Sequence, residues 1–151
     1  MRHALFLRVD HTAIVVSDAD ASLRFYRDFL GIQIAGTSEN FGTEQEHLNN
    51  VFGARLQITT LRAARGPGIE LLEYLVPRTG RVAPADTTAN DGWQWQVVLR
   101  VDNLSFAAAD VLRANGTTVS VEPVPLDGTA RESKALLIRD PDGHADLLLQ
   151  P

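Results

Sequence analysis

The stretch VDHTAIVVSDADASLRFYRDFLG, residues 9–31, decides the fold, because its outline recurs 85 residues later as QWQVVLRVDNLSFAAADVLRANG, residues 94–116. Each copy contains an apolar run, a short acidic or amide turn, an amphipathic segment and a final glycine. A second repeat, at an offset of 77 residues, relates IELLEY (69–74) to DLLLQP (146–151). The sequence therefore predicts two copies of a strand–helix–strands unit, whose equivalent first and last strands meet at a cleft.

The first copy carries the signals of a strand that leads into a helix. The β-branched residues of HTAIVV, residues 11–16, favour a strand, and Ser17 or Asp18 can cap the helix that follows. Gly31 is a suitable residue to end that helix. One apolar helix face is predicted from residues at i, i+3, i+6 and i+7: Leu23, Tyr26, Phe29 and Leu30.

Length and composition limit the classes of protein. The 151 residues suit a single domain, with module 1 at about 9–76, a connector at 77–92 and module 2 at about 93–150, because each half alone is too small to bury its sheet face. The net charge of −5, without a cluster of basic residues, argues against nucleic-acid binding. No apolar run approaches the ~18 residues of a membrane helix. We expect a cytoplasmic protein, which the absence of cysteine fits, and an N-terminus that is not a signal peptide.

Three motifs together resemble the vicinal oxygen chelate superfamily: DHTAIVVSDADASLRFYRDFLG (10–31), GIELLEY (68–74) and RDPDGHADLLL (139–149). The superfamily includes glyoxalase I, methylmalonyl-CoA epimerase, extradiol dioxygenases, fosfomycin-resistance enzymes and bleomycin-binding proteins. The resemblance covers about residues 9–150. It implies an α+β fold in which two βαβββ modules form a half-open, eight-stranded, glyoxalase-like barrel around a divalent metal. It also implies that a homodimer is to be expected.

The resemblance implies metal ligands on the first and last strand of each module. These positions fall on His11 and Gln96 in the first strands, and on Glu70 and Leu147 in the last strands. Imidazole, carboxylate and amide groups suit a divalent cation, although Zn, Ni, Co, Mn and Fe are not distinguished. Leucine cannot coordinate a metal, so Leu147 leaves the fourth position without a protein ligand. Glu70 is also the candidate catalytic base.

Strand parity separates these candidates from their acidic neighbours. Because side chains alternate between the two faces of a strand, Asp146 faces away from Leu147 unless a bulge shifts it. By the same rule Glu73 faces away from Glu70, and we expect it to be a surface carboxylate. His144, beside the Asp-Pro-Asp-Gly turn, is expected at the surface.

The candidate substrate-binding residues are His47, Phe52, Trp95 and Leu147. His47 lies on a short predicted helix, where a solvated position is the alternative interpretation. The aromatic residues favour a small organic molecule with polar groups as the ligand. No glycine-rich phosphate loop is present, so we expect no nucleotide cofactor.

Three functions compete for this set of residues. A metal-assisted lyase or isomerase would stabilise an enediolate-type intermediate with the metal and use Glu70 as base. A metal-free small-molecule or antibiotic-binding protein, like the bleomycin-resistance proteins, fits the loss of one ligand at Leu147. An extradiol dioxygenase is less favoured, because it needs two imidazoles and a carboxylate, and Gln96 stands where the second imidazole would be.

Overall fold

The computed structural model describes residues 6–126 and 133–151; residues 127–132 of the predicted second module lie outside this part. The strands are β1 His11–Val16, β2 Gln33–Phe41, β3 Arg55–Arg62, β4 Gly68–Val76, β5 Gln96–Arg100, β6 Thr117–Thr118, β7 Val124–Pro125, β8 Lys134–Arg139 and β9 Ala145–Gln150. The helices are α1 Ala19–Leu23, continued by a π-helical turn Arg24–Phe29, α2 Thr43–Asn49 and α3 Leu104–Asp110. Within the described residues, no helix is long and apolar enough to span a membrane.

The strands form two sheets with the same internal order. The first sheet runs β1-β4-β3-β2, and the second runs β5-β9-β8-β6, with β7 also paired to β8. In both sheets the first strand is parallel to the last, and the third strand is antiparallel to the last. This agreement confirms the α+β fold and its internal repeat. Among the described strands no ladder joins the two sheets, as a half-open arrangement allows.

The edge of the second sheet is formed by two short strands, β6 and β7, instead of one continuous strand. Thr117 and Thr118 pair with one end of β8, and Val124 and Pro125 pair with its other end. The five residues between these pieces face only two residues of β8, so the edge strand bulges out of the ladder. The second sheet therefore has five strands, which occupy the same four positions as the strands of the first sheet.

One hydrophobic core lies between the two sheets and includes their helices. It combines Ile14 and Leu71 of the first sheet, Leu136 of the second, and Phe25 and Val111 of the helical segments. Because side chains alternate along each strand, the opposite face of each sheet is turned away from this core. We call these two surfaces the outer faces of the first and second sheets.

The helix starts repeat as the sequence predicts. The Asp18 carboxylate accepts a hydrogen bond from the Ala21 N–H at 2.9 Å, and the Asn103 side chain accepts one from the Phe106 N–H at 3.0 Å. Each residue caps an otherwise free backbone donor of the first turn. The two helices therefore begin at equivalent points of the two modules.

Candidate functional site

Two of the predicted metal ligands meet on the outer face of the first sheet. His11 begins β1, and Glu70 lies in β4, where it pairs with Ala13. The His11 Nε2 atom is 3.3 Å from Glu70 Oε2. Both side chains are partly accessible, at 37% and 23% of their full surface, so the pair lies at the surface of a strand and not within the core.

Neighbouring side chains orient both members of the pair. Asp10 Oδ2 lies 3.2 Å from the other ring nitrogen of His11, and Thr60 Oγ1 donates a hydrogen bond to Glu70 Oε1 at 3.1 Å. The hydrogen bond with His11, together with the charges of Arg8 and Arg62, lowers the pKa of Asp10. A carboxylate bound to the second nitrogen of an imidazole fixes the ring and leaves Nε2 free to bind a ligand.

Gln96 and Leu147 lie in the second sheet. Gln96 begins β5 beside Ala145, and Leu147 lies in β9 opposite Val98. Both belong to the outer face of that sheet, because Val97 and Leu148 on the alternate positions pack in the core. Within the described part of the chain, neither residue has a hydrogen bond or ion pair with His11 or Glu70. Within one chain, His11 and Glu70 therefore lie side by side on the first sheet, whereas Gln96 and Leu147 lie on the second sheet.

The predicted substrate-binding residues are spread over the two outer faces and their edges. His47 is exposed on α2, and Phe52 follows this helix with 92% of its surface exposed. Trp95 is half exposed immediately before β5, and Leu147 is partly buried. Their role in ligand binding stays a prediction.

The donors of one chain fit part of a divalent-metal site. His11 Nε2 and Glu70 Oε2 are close enough to bind one ion, and Asp10 and Thr60 supply the supporting hydrogen bonds. Residues 6–126 and 133–151 contain no group of three or more His, Asp, Glu or Cys side chains that could hold a metal. A complete site would need further ligands from water, substrate or a second chain.

Asp146 does not replace Leu147, because it is fully buried on the core side of β9. Tyr26 Oη lies 3.0 Å from Asp140 Oδ2 and 3.3 Å from Asp146 Oδ2. Burial, followed by the charge of Asp140, raises the pKa of Asp146 to about 7. Since one hydroxyl hydrogen serves one acceptor, protonated Asp146 can donate to Tyr26 while Tyr26 donates to Asp140.

His144 belongs to the same cluster and is partly buried, so it is not the free surface residue that the sequence led us to expect. Its Nδ1 atom is 2.9 Å from Asp140 Oδ2, and only a quarter of its side chain is exposed. Although desolvation acts in the opposite direction, the hydrogen bond and charge of Asp140 raise the pKa of His144. The sequence signal for this cluster is Asp146 itself, which stands where the first module has the apolar Ile69.

Glu73 faces away from Glu70, as parity predicts, but it is not a surface carboxylate. Only 15% of its side chain is exposed. It accepts a hydrogen bond from the Ala19 N–H at 3.2 Å, at the start of α1, and forms an ion pair with Arg78 at 2.5 Å. Its role is therefore to hold the first helix against β4.

A cavity of about 760 Å³ lies at the ends of β1 and β4 that are farther from His11. Val15 and Tyr74 line it from the outer face of the first sheet, and residues 77–83 of the connector form its other wall. The Tyr74 hydroxyl accepts a hydrogen bond from the Asn49 amide at 2.7 Å, which ties α2 to this end of the sheet. The outer face thus combines a polar pair at one end with a cavity at the other.

Comparison of the sequence with known proteins agrees with these features. Residues 8–145 match the family described as the Glyoxalase/Bleomycin resistance protein/Dioxygenase superfamily, and the chain belongs to this superfamily. It is 28% identical over 143 residues to a probable lactoylglutathione lyase of Vibrio cholerae serotype O1, covering 95% of this chain and 90% of that protein. A protein of the same description from Vibrio parahaemolyticus is 27% identical over the same lengths.

Solved structures show the same fold. The glyoxalase family protein from Bacillus cereus superposes with a TM-score of 0.81 at 20% identity, covering 99% of this chain and 97% of that chain. The trypanothione-dependent glyoxalase I of Leishmania major superposes with a TM-score of 0.63 at 18% identity, covering 96% and 87% of the two chains.

Proposed function

We propose that this protein is a glyoxalase-like enzyme, a metal-assisted lyase or isomerase that acts on a small organic molecule through an enediolate-type intermediate. The observation that carries the proposal is the approach of His11 Nε2 to Glu70 Oε2 at 3.3 Å on an accessible sheet face. The similarity to probable lactoylglutathione lyases supports this reaction class. The expected location of the enzyme is the cytoplasm.

The residues divide the chemistry between them. His11, Glu70 and Gln96 would hold the metal, which when bound polarises a carbonyl group and stabilises the negative charge of an enediolate. Glu70 accepts a proton from the carbon next to that carbonyl, and it returns the proton to the former carbonyl carbon. Thr60 holds Glu70 Oε1, and Asp10 holds the His11 ring, so that both groups meet the substrate already oriented.

We further propose that a homodimer completes the site. Glu70 lies on the outer face of the first sheet, and Gln96 lies on the outer face of the second sheet of the same chain. Both outer faces leave apolar side chains exposed, including Val15 at 53% and Val98 at 54%. When a second copy covers the first sheet with its own second sheet, both faces are buried, and Gln96 and Leu147 are brought to His11 and Glu70.

A metal-free binding protein is the second candidate, and Leu147 is the residue that favours it. Its side chain offers no ligand atom at the fourth position, and it lies beside Val98 and Leu137 in an apolar environment. In that case the paired outer faces would bind an organic ligand without transforming it. The dioxygenase alternative lacks a second imidazole at Gln96.

Metal content and turnover distinguish these candidates. Protein purified without chelator should contain up to one divalent ion per chain and should lose it in Glu70→Gln, because the amide is a weaker ligand than the carboxylate. Glu44→Gln, an exposed carboxylate on α2, is the matched control and should keep the metal. Formation of lactoylglutathione from the glutathione hemithioacetal of the corresponding 2-oxoaldehyde, followed by the thioester absorbance, should depend on the metal and on Glu70. A metal-free wild-type protein that binds ligands as well as Glu70→Gln would contradict the enzyme and leave the binding protein.

A further inference from the structure

The cavity at the far ends of β1 and β4 lies where one end of a ligand would bind if its other end reached Glu70. Val15 lies four residues beyond His11, and Tyr74 lies four residues beyond Glu70, on the same outer face. Because Val15 pairs with Leu72, only two residues beyond Glu70, the cavity begins about 7 Å along the sheet from Glu70 at about 3.3 Å per residue. An elongated molecule could therefore occupy both.

Most charged side chains that line this cavity already have partners. Arg78 pairs with Glu73 at 2.5 Å, and His144 contacts Asp140 at 2.9 Å. The Asp142 carboxylate accepts a hydrogen bond from the Ser17 N–H at 3.0 Å. These interactions neutralise the groups concerned or tie them to the protein.

Arg81 is different. It lines the cavity from the connector, and within the described residues it has neither an ion pair nor a hydrogen bond. Its guanidinium is positively charged, although the chain as a whole carries a net charge of −5. Arginine binds carboxylates through two parallel N–H donors, which makes it suited to recognise a planar anion.

The remaining walls are largely apolar. Val15, Val51, Val82 and Ala83 face the cavity together with Tyr74. Such walls hold the hydrocarbon or aromatic part of a ligand, and a small number of polar groups fixes its orientation. We propose that this cavity binds the anionic end of an elongated organic carboxylate, and that Arg81 is the residue that recognises the carboxylate.

This proposal rests on the proposed function only for the reacting end of the ligand, because carboxylate binding at Arg81 can be measured without turnover. The probe is 2-naphthoate, and its uncharged amide, 2-naphthamide, has the same shape. Isothermal titration calorimetry at low ionic strength should show that wild-type protein binds 2-naphthoate more tightly than 2-naphthamide. Arg81→Ala should weaken 2-naphthoate binding about 10-fold, and should change 2-naphthamide binding less than about twofold.

Arg65→Ala is the charge-matched control, because Arg65 is an exposed arginine of the turn before β4 and does not line the cavity. It should leave both affinities unchanged. Equal affinities for the two probes, equal 2-naphthoate binding by Arg81→Ala and wild type, or no 2-naphthoate binding at millimolar concentration would overturn the proposal. Glu70→Gln separates it from the proposed function, since this variant should lose metal and turnover but still bind 2-naphthoate.

Discussion

Two groups of polar side chains differ in their exposure. The pair of His11 and Glu70 is accessible, whereas the acidic cluster that contains Asp146 is buried. His11 and Glu70 stay partly exposed, and their hydrogen bonds to Asp10 and Thr60 leave His11 Nε2 and Glu70 Oε2 facing each other at 3.3 Å. Asp146 is buried instead, and its Oδ1 atom has no hydrogen-bond partner among the described residues. An ionised carboxylate in this position would be costly, whereas a neutral carboxyl group is tolerated.

Asp146 should make the protein less stable as pH rises. Its pKa is about 7 in the folded chain and near the ordinary 3.8 in the unfolded chain, so the folded state binds more protons between these values. Stability is therefore lost as pH rises from about 4 to 7. The raised pKa of His144 acts in the same direction, because its contribution is lost as pH passes its folded value.

Urea unfolding of wild type and Asp146→Asn at pH 5 and pH 8 measures this effect. The amide cannot ionise, so the variant should lose less stability than wild type between the two pH values, by roughly 2–4 kcal/mol. Asp86→Asn, an exposed carboxylate of the connector, should follow the wild-type profile. Parallel pH profiles for wild type and Asp146→Asn would show that Asp146 does not titrate as inferred.

At the scale of the elements, the two modules begin their helices in the same way but end them differently. Gly31 ends the first helix with a positive φ of 78°, as expected for a helix stop. In the second module Asn115 adopts the positive φ, at 60°. Gly116 is needed for space instead, because a Cβ atom there would lie 2.7 Å from the Arg139 carbonyl oxygen.

The cap of α3 gives a direct test of the repeat. Asn103→Ala removes the acceptor of the Phe106 N–H and should lower the free energy of unfolding by about 1 kcal/mol. Asp102→Ala, at the exposed neighbouring position, should change it by less than about 0.5 kcal/mol. Chemical denaturation of both variants provides the comparison, and equal effects would mean that Asn103 does not act as a cap.

The sequence predicted most of the elements and the proximity of His11 to Glu70, because both depend on short-range rules. The repeat and strand parity placed His11 and Glu70 on one face and Asp146 on the other. The burial of Phe25 was not predicted, because the π-helical turn Arg24–Phe29 departs from the helical spacing on which the prediction relied. The Tyr26–Asp146 contact was also missed, since it joins residues 120 positions apart in different modules.

At the scale of the whole molecule, the shared core separates the two sheets on which the predicted ligands lie. The inner faces of both sheets pack together with the helical segments, so Glu70 and Gln96 lie on the outer faces of two different sheets. In the proposed homodimer, a second copy would cover the exposed apolar side chains of these faces, such as Val15 and Val98. The proposed metal site and the proposed homodimer are therefore tested together.

Light scattering tests the assembly itself. We expect a mass of about twice the 16.5 kDa of the chain at micromolar concentration. Val98→Glu should shift the protein toward the monomer, because it places a charge on the exposed outer face of the second sheet. A wild-type monomer at this concentration would contradict the proposed homodimer.

Mixed dimers test most directly whether the site is shared between chains. Glu70→Gln and Gln96→Ala should each be nearly inactive alone, because each damages both sites of its own homodimer. After the two variants are unfolded together and refolded, half of the dimers should be mixed, and each mixed dimer should contain one intact site. We expect about a quarter of the wild-type activity per chain, with a matching recovery of bound metal. No recovery above the separate variants, with mixed dimers demonstrated by mass spectrometry, would contradict a site built from His11 and Glu70 of one chain and Gln96 of the other.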